Sequence, residues 1–116
     1  MAVLLETSVG EMVVDLFVDE CPMTCKNFLK LCKIKYYHNC LFHTIQKDFL
    51  VQTGDPTNTG TGGDSMYKFL YGDQARFFDD EIRPKLKHNK VGTVAMASAG
   101  ENLNASQVRD NKKNEQ

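Results

Sequence analysis

Four cysteines, Cys21, Cys25, Cys32 and Cys40, crowd into one short stretch of this 116-residue chain, with His38 and His43 close by. Thiolate and imidazole are the common zinc ligands, and paired thiols can close a disulfide, so the cluster invites either reading. The spacing argues against both. No C-x-x-C pair exists, and Cys25 and Cys32 fall in step with Phe28 and Leu29 at the i, i+3, i+4, i+7 spacing of a helix face. That pattern predicts buried, reduced thiols acting as small hydrophobes, and no metal.

His43 alternates with Leu41 and Ile45, which predicts a hydrogen-bonded core histidine rather than a base or a ligand. The glycine-rich run GDPTNTGTGGDS could cradle a phosphate on successive N–H groups. A P-loop, however, needs Lys and then Ser or Thr directly after its last glycine, whereas Gly63 is followed by Asp64, which repels an anion. A plain surface loop is expected. Asn104-Ala105-Ser106 matches a glycosylation sequon by chance, since the opening MAVLLETSVGEM does not make a secretory signal. No serine or cysteine stands in a nucleophile context, and the carboxylates show no convergent pair, with Asp79, Asp80 and Glu81 expected to be solvated.

These side chains need elements to hold them. VLLET and MVVDLF, separated by SVGE, predict an opening β-hairpin with Gly10 in its loop. Asp19 and Glu20 before Pro22, with lysines 26, 30, 33 and 35 toward the far end, predict a helix from about Pro22 to Lys33. LFHTI and FLVQT read as strands flanking QKD, and GTVAMA as a later strand with Val94 and Met96 on one face and Thr93, Ala95 and Ala97 on the other. FLYGDQARFFDDEIRPKLKHNKVG reads as irregular, and RDNKKNEQ offers no apolar position for a core. Several strands with one helix near the start point to an all-β barrel or sandwich.

The length fits a single domain able to bury a core. Hydrophobic residues make up 41% and charged residues 25%, ordinary for a globular protein. Fourteen Lys and Arg against fifteen Asp and Glu leave a net charge of −1, which argues against a dedicated nucleic-acid or acidic-membrane surface. No apolar run approaches the roughly 18 residues of a membrane span, so a cytosolic or nuclear protein is expected.

Two segments carry more than composition does. NFLKLCKIKYYHNCLFHTIQKDFLVQTGDPTNTGTGGDS and GTVAMASAGENLNASQ closely resemble the cyclophilin family of peptidyl-prolyl cis-trans isomerases. KIKYY, QTGDPT and FLYGDQARFF look most like its nuclear isomerase-like branch, which carries an RNA-recognition module farther along. The resemblance runs from Ala2 to Gln107, about two-thirds of a full cyclophilin. It implies a mostly β, antiparallel barrel with one N-terminal helix, incomplete because the C-terminal strands and second helix are missing. Residues 1–107 would form the truncated domain and 108–116 a polar, disordered tail, as a frameshift, a retained intron or a misplaced gene end would leave.

The family rotates X-Pro bonds without a nucleophile or cofactor, using an Arg donor, an apolar pocket, a Gln and a backbone clamp. By resemblance the pocket falls on Phe49, Leu50 (where the family has Met) and Gln52. The clamp falls on Met96, Ala97, Ser98 and Ala99, the second groove residue on Gln107 and the groove glycine on Gly60. For Phe49 to share a groove with Leu50 and Gln52, the chain must enter that strand irregularly at Asp48. The catalytic Arg position is Thr44, uncharged and short, which at the family's site costs on the order of 100-fold to 1000-fold. The resemblance therefore implies an isomerase of weak or lost activity, or a non-catalytic domain that binds proline peptides for a nuclear RNA-processing protein. The expected partners are proline-containing peptides or proteins, with no direct nucleic-acid binding by this domain and no membrane.

Overall fold

The computed structural model describes residues 1–46, 50–83 and 93–111. β1 (Ala2–Thr7) and β2 (Gly10–Asp15) form the expected hairpin, with Thr7 opposite Gly10 across a two-residue turn. Gly10 holds φ at +141°, which a side chain would resist, and Thr7 Oγ1 donates to its carbonyl at 2.7 Å.

α1 (Pro22–Lys33) matches its expected limits, with Pro22 in the first turn and Lys30 and Lys33 in the last. It buries Cys25, Asn27, Phe28 and Leu31, while Leu29 and Cys32 flank that face half-buried. Burying Phe28 and Leu31 contributes about 1.5–3 kcal/mol each. Asn27 is also fully buried: its Nδ2 donates to Ala105 O at 2.7 Å and its Oδ1 accepts from Met66 N at 2.8 Å. The acid at the helix start is neither Asp19 nor Glu20. Glu81 reaches in from 57 residues away, accepting from Met23 N at 3.1 Å and Thr24 N at 2.6 Å. Glu81 is thus a cap rather than a solvated charge, and Asp80 is engaged too, accepting from Asn104 Nδ2 at 2.6 Å.

A second sheet holds β3 (Thr44–Gln46), β4 (Leu50–Thr53), β5 (Val94–Ser98) and β6 (Asn104–Asn111) in the antiparallel order β3-β4-β6-β5. Three expectations need correction here. Regular pairing in LFHTI starts only at Thr44, and Leu41 and Ile45 are exposed while His43 is half-buried. Val108 to Asn111, expected in a disordered tail, continue β6 and pair with β4 on one side and β5 on the other. Strand pairing is made by backbone N–H and C=O groups, so polar side chains do not prevent it. Residues 112–116 lie outside the described residues. Finally, the segment read as loop and irregular chain contains a second helix, α2 (Met66–Tyr71), followed by a short 3-10 turn, Asp73–Ala75.

The fold is mostly β and antiparallel, as expected, and among the described residues its strands form two sheets rather than one closed barrel. α1, α2 and β6 meet at the buried core: Cys25, Phe28, Leu31, Met66, Phe78 and Ala105. Among the described residues no helix is long and apolar enough to cross a membrane.

Candidate peptide-binding groove

A groove of about 560 Å³ runs between the sheet, the glycine-rich loop and the segment that follows β5. Strand register builds one wall. Thr44 faces Gln52, Gln52 faces Arg109 and Arg109 faces Ala95, so these four form a row across all four strands. Gln52 and Arg109 line the groove together with Gln107, two positions back along β6.

The opposite rim is formed by Met96, Ala97, Ser98 and Ala99. Simple alternation would send Met96 and Ala97 to opposite faces, and the β5–β6 register shifts between Met96 and Ser98. A bulge of this kind re-aims side chains and brings consecutive residues to one rim. Ser98 Oγ donates to Gly100 O and accepts from Gly100 N at 3.1 Å, which folds the end of the strand back on itself.

Gln107 connects the walls. Its Nε2 donates to the carbonyls of Gly60 at 3.1 Å and Gly62 at 2.8 Å, which fixes the orientation of the amide. Oε1 then accepts from Gln52 Nε2 at 2.7 Å and faces His43 Nε2 at 3.1 Å. His43 therefore donates from Nε2, and in the neutral ring this leaves Nδ1 to accept from the Thr44 hydroxyl at 2.8 Å. His43 is hydrogen-bonded, as the sequence predicted, but half-buried rather than in the core, and it braces Gln107.

Asp55 organises the glycine-rich loop. It is fully buried; Oδ1 accepts from Thr57 N and Oγ1, and Oδ2 accepts from the backbone of Thr59, Gly60 and Gly62. Burial pushes this carboxyl up, but hydrogen bonds from Thr57 Oγ1 and the N–H groups of Gly62, Thr57 and Gly60 outweigh it and hold the group well below the ordinary carboxylate range. A Cβ on Gly62 would collide with Asp55 Oδ1, so the loop closes only with glycine there. The loop is therefore a fixed wall, and the alternating Asp-x-Thr-x-Thr spacing at 55–59 was the signal for it.

Of the residues singled out in the sequence, Gln52, Gly60, Ala97, Ser98, Ala99 and Gln107 converge on the groove. Thr44 stands one strand from Gln52 in the same row. Leu50 opens β4 opposite Gln46, and Phe49, with Asp48, lies outside the described residues. Sequence reading missed Arg76 and Arg109. Arg76 Nε lies 2.9 Å from Asp64 Oδ1 and its guanidinium stands 4.7 Å from the centre of the Phe77 ring. Among the described residues no three His, Cys, Asp or Glu side chains converge as metal ligands. Burial pushes the thiols of Cys21, Cys25, Cys32 and Cys40 up, which keeps them protonated at neutral pH.

Oriented amides, backbone carbonyls and small side chains thus meet around one groove. The profile of cyclophilin type peptidyl-prolyl cis-trans isomerases matches residues 2–109, and the chain belongs to that family. It is 74% identical over 107 residues to the peptidyl-prolyl cis-trans isomerase CYP59 of Arabidopsis thaliana, covering 92% of this chain and 21% of that one. Against the human peptidyl-prolyl cis-trans isomerase-like 4, identity is 58% over 107 residues, covering 92% and 22%. The chain thus spans about a fifth of the length of these curated relatives. A cyclophilin type isomerase of Cryptosporidium parvum, crystallised in the presence of the dipeptide Ala-Pro, superposes with a TM-score of 0.87 at 43% identity, covering 96% of this chain and 67% of that one.

Proposed function

We propose that this chain binds proline-containing peptides in the groove and turns over X-Pro bonds slowly. Rotation about such a bond meets a barrier of ~18–20 kcal/mol from amide resonance and breaks no covalent bond. A catalyst needs an apolar seat for the ring, hydrogen bonds to the flanking carbonyls, and a donor aimed at the proline nitrogen as it loses conjugation. Gln52 and the 97–99 rim supply the grip, Gln107 and Gly60 hold the loop wall, and Phe49 and Leu50 are proposed as the apolar seat. Membership of the family and the Ala-Pro dipeptide named with the Cryptosporidium relative support the substrate class.

Slow turnover is expected from Thr44. It is uncharged, and its hydroxyl donates to His43 Nδ1. Exchange spectroscopy by NMR on an Ala-Pro peptide separates binding from turnover. The expected result is shifted peptide resonances with little acceleration of cis-trans exchange. Fast exchange would refute the weak-enzyme reading, and unshifted resonances would refute peptide binding.

The same residue favours the second reading, a non-catalytic proline-peptide module, which predicts binding with no measurable acceleration. A nuclear location and the absence of direct nucleic-acid binding are proposed with it. The first rests on resemblance to the isomerase-like branch, the second on near-balanced charge. Imaging of a tagged chain and a salt-dependent RNA-binding assay test the two.

A further inference from the structure

Two arginines and no carboxylate line the groove among the described residues, although the chain carries a net charge of −1. Arg76 already has its counter-ion in Asp64. Arg109 lies on β6 directly opposite Gln52, in the row that begins at Thr44, and its Nε is shut off from solvent with no hydrogen-bond partner among the described residues. The adjacent amides do not serve it: Gln107 Oε1 is taken by Gln52 and His43, and Gln52 Oε1 makes no hydrogen bond to Arg109 Nε.

A guanidinium Nε–H held away from water without an acceptor is costly, and an anion entering the groove beside half-buried Arg109 supplies one. The planar fork of N–H groups suits a carboxylate or a phosphate, either of which accepts two parallel hydrogen bonds. Position narrows the class further. Arg109 is two strand spacings, roughly 10 Å, from Thr44, where the donor to the proline nitrogen belongs, and an arginine side chain covers most of that distance. An anion bound to Arg109 therefore sits within about one residue of the X-Pro bond.

We propose that the groove selects X-Pro peptides carrying an anionic side chain next to the proline, with Arg109 as its counter-ion. The proposal rests on the peptide-binding reading and adds the chemical class of the peptide. The anion is an oxyanion, carried either by an acidic residue or by a phosphorylated serine.

Fluorescence anisotropy on the 116-residue chain tests it with four labelled peptides that differ only before the proline: glutamate, phosphoserine, glutamine or lysine. The glutamate and phosphoserine peptides are expected to bind about tenfold more tightly than the glutamine peptide, with lysine weakest. A preference confined to phosphoserine assigns the phosphate source, and one shared with glutamate assigns both. Arg109→Gln should bring the four affinities within about twofold, while Arg109→Lys keeps the order. Circular dichroism reports whether each variant folds, and the wild-type series is decisive even if one does not. Equal affinities in the wild type, or a preference surviving Arg109→Gln, overturn the charge proposal and leave peptide binding standing. No binding by any peptide overturns both.

Discussion

The hydroxyl of Thr44 lies 2.8 Å from Nδ1 of His43, the residue before it. The contact is set from the far side of the groove. Gln107, oriented by the carbonyls of Gly60 and Gly62, presents its oxygen to His43 Nε2 and leaves Nδ1 as the acceptor. Thr44, proposed above as the residue at the family's donor position, thus directs its hydroxyl to its neighbour.

Thr44→Arg should place a cation on the β3 side of Gln52, across from Arg109. If donation to the proline nitrogen is what is missing, kcat/KM on an Ala-Pro peptide rises about 100-fold, equivalent to ~2.7 kcal/mol, with a much smaller change in peptide affinity. Equal rates would show that the donor is not the limiting defect.

Asp55 should make the fold acid-sensitive. Its carboxyl titrates well below the ordinary range when folded, whereas in the unfolded chain it takes up a proton near pH ~3.9. Below that pH the unfolded state binds the extra proton, so Asp55's contribution is complete above about pH 5 and is lost as pH falls further. Urea melts between pH 3 and 7 should show this slope, and Asp55→Asn should flatten it. The amide would turn N–H groups toward Thr57 or Gly62 donors, costing ~2 kcal/mol.

Removing the distant cap on α1 should be measurable. Glu81→Ala leaves the N–H groups of Met23 and Thr24 without their acceptor, and cap losses of this kind cost about 0.5–2 kcal/mol. A thermal midpoint several degrees lower is expected, and an unchanged midpoint would show that water replaces the carboxylate without loss.

Asp110 offers the opposite case. It alternates with Arg109 on β6, faces Val51 and Val94 across the sheet, and its Oδ1 is buried without a hydrogen-bond partner among the described residues. Asp110→Val should therefore stabilise the chain, by about 1–3 kcal/mol in a chemical melt. A less stable variant would mean that the carboxylate has a compensating role.

The hairpin and α1 were legible because period and punctuation agree there: alternation around Gly10, then Pro22 followed by an i, i+3, i+4 apolar face. The groove residues Gln52, Gln107 and 97–99 were reached through resemblance, since nothing in their spacing marks them. Other features depend on contacts that local pattern does not carry. MYKFLY is six residues long with no clean period, yet Met66 N is held by Asn27, 39 residues earlier. Glu81 looks like one of a solvated acidic run until α1 arrives above it. Val108–Asn111 look like a tail by polarity, but backbone groups pair with two neighbouring strands whatever their side chains.

The position of β6 between β4 and β5 also sets an order of assembly. β5 and β6 are joined by a short connection and can close as a local hairpin, whereas the β4–β6 ladder joins Leu50–Thr53 to residues 108–111, well over fifty positions later. On the ribosome β4 therefore emerges long before its central partner exists, with one row of N–H and C=O groups open to any other extended chain. Cross-association of nascent chains through that bare edge is the hazard this strand order creates, and cellular holding factors would have most to protect between the synthesis of Thr53 and that of Asn111.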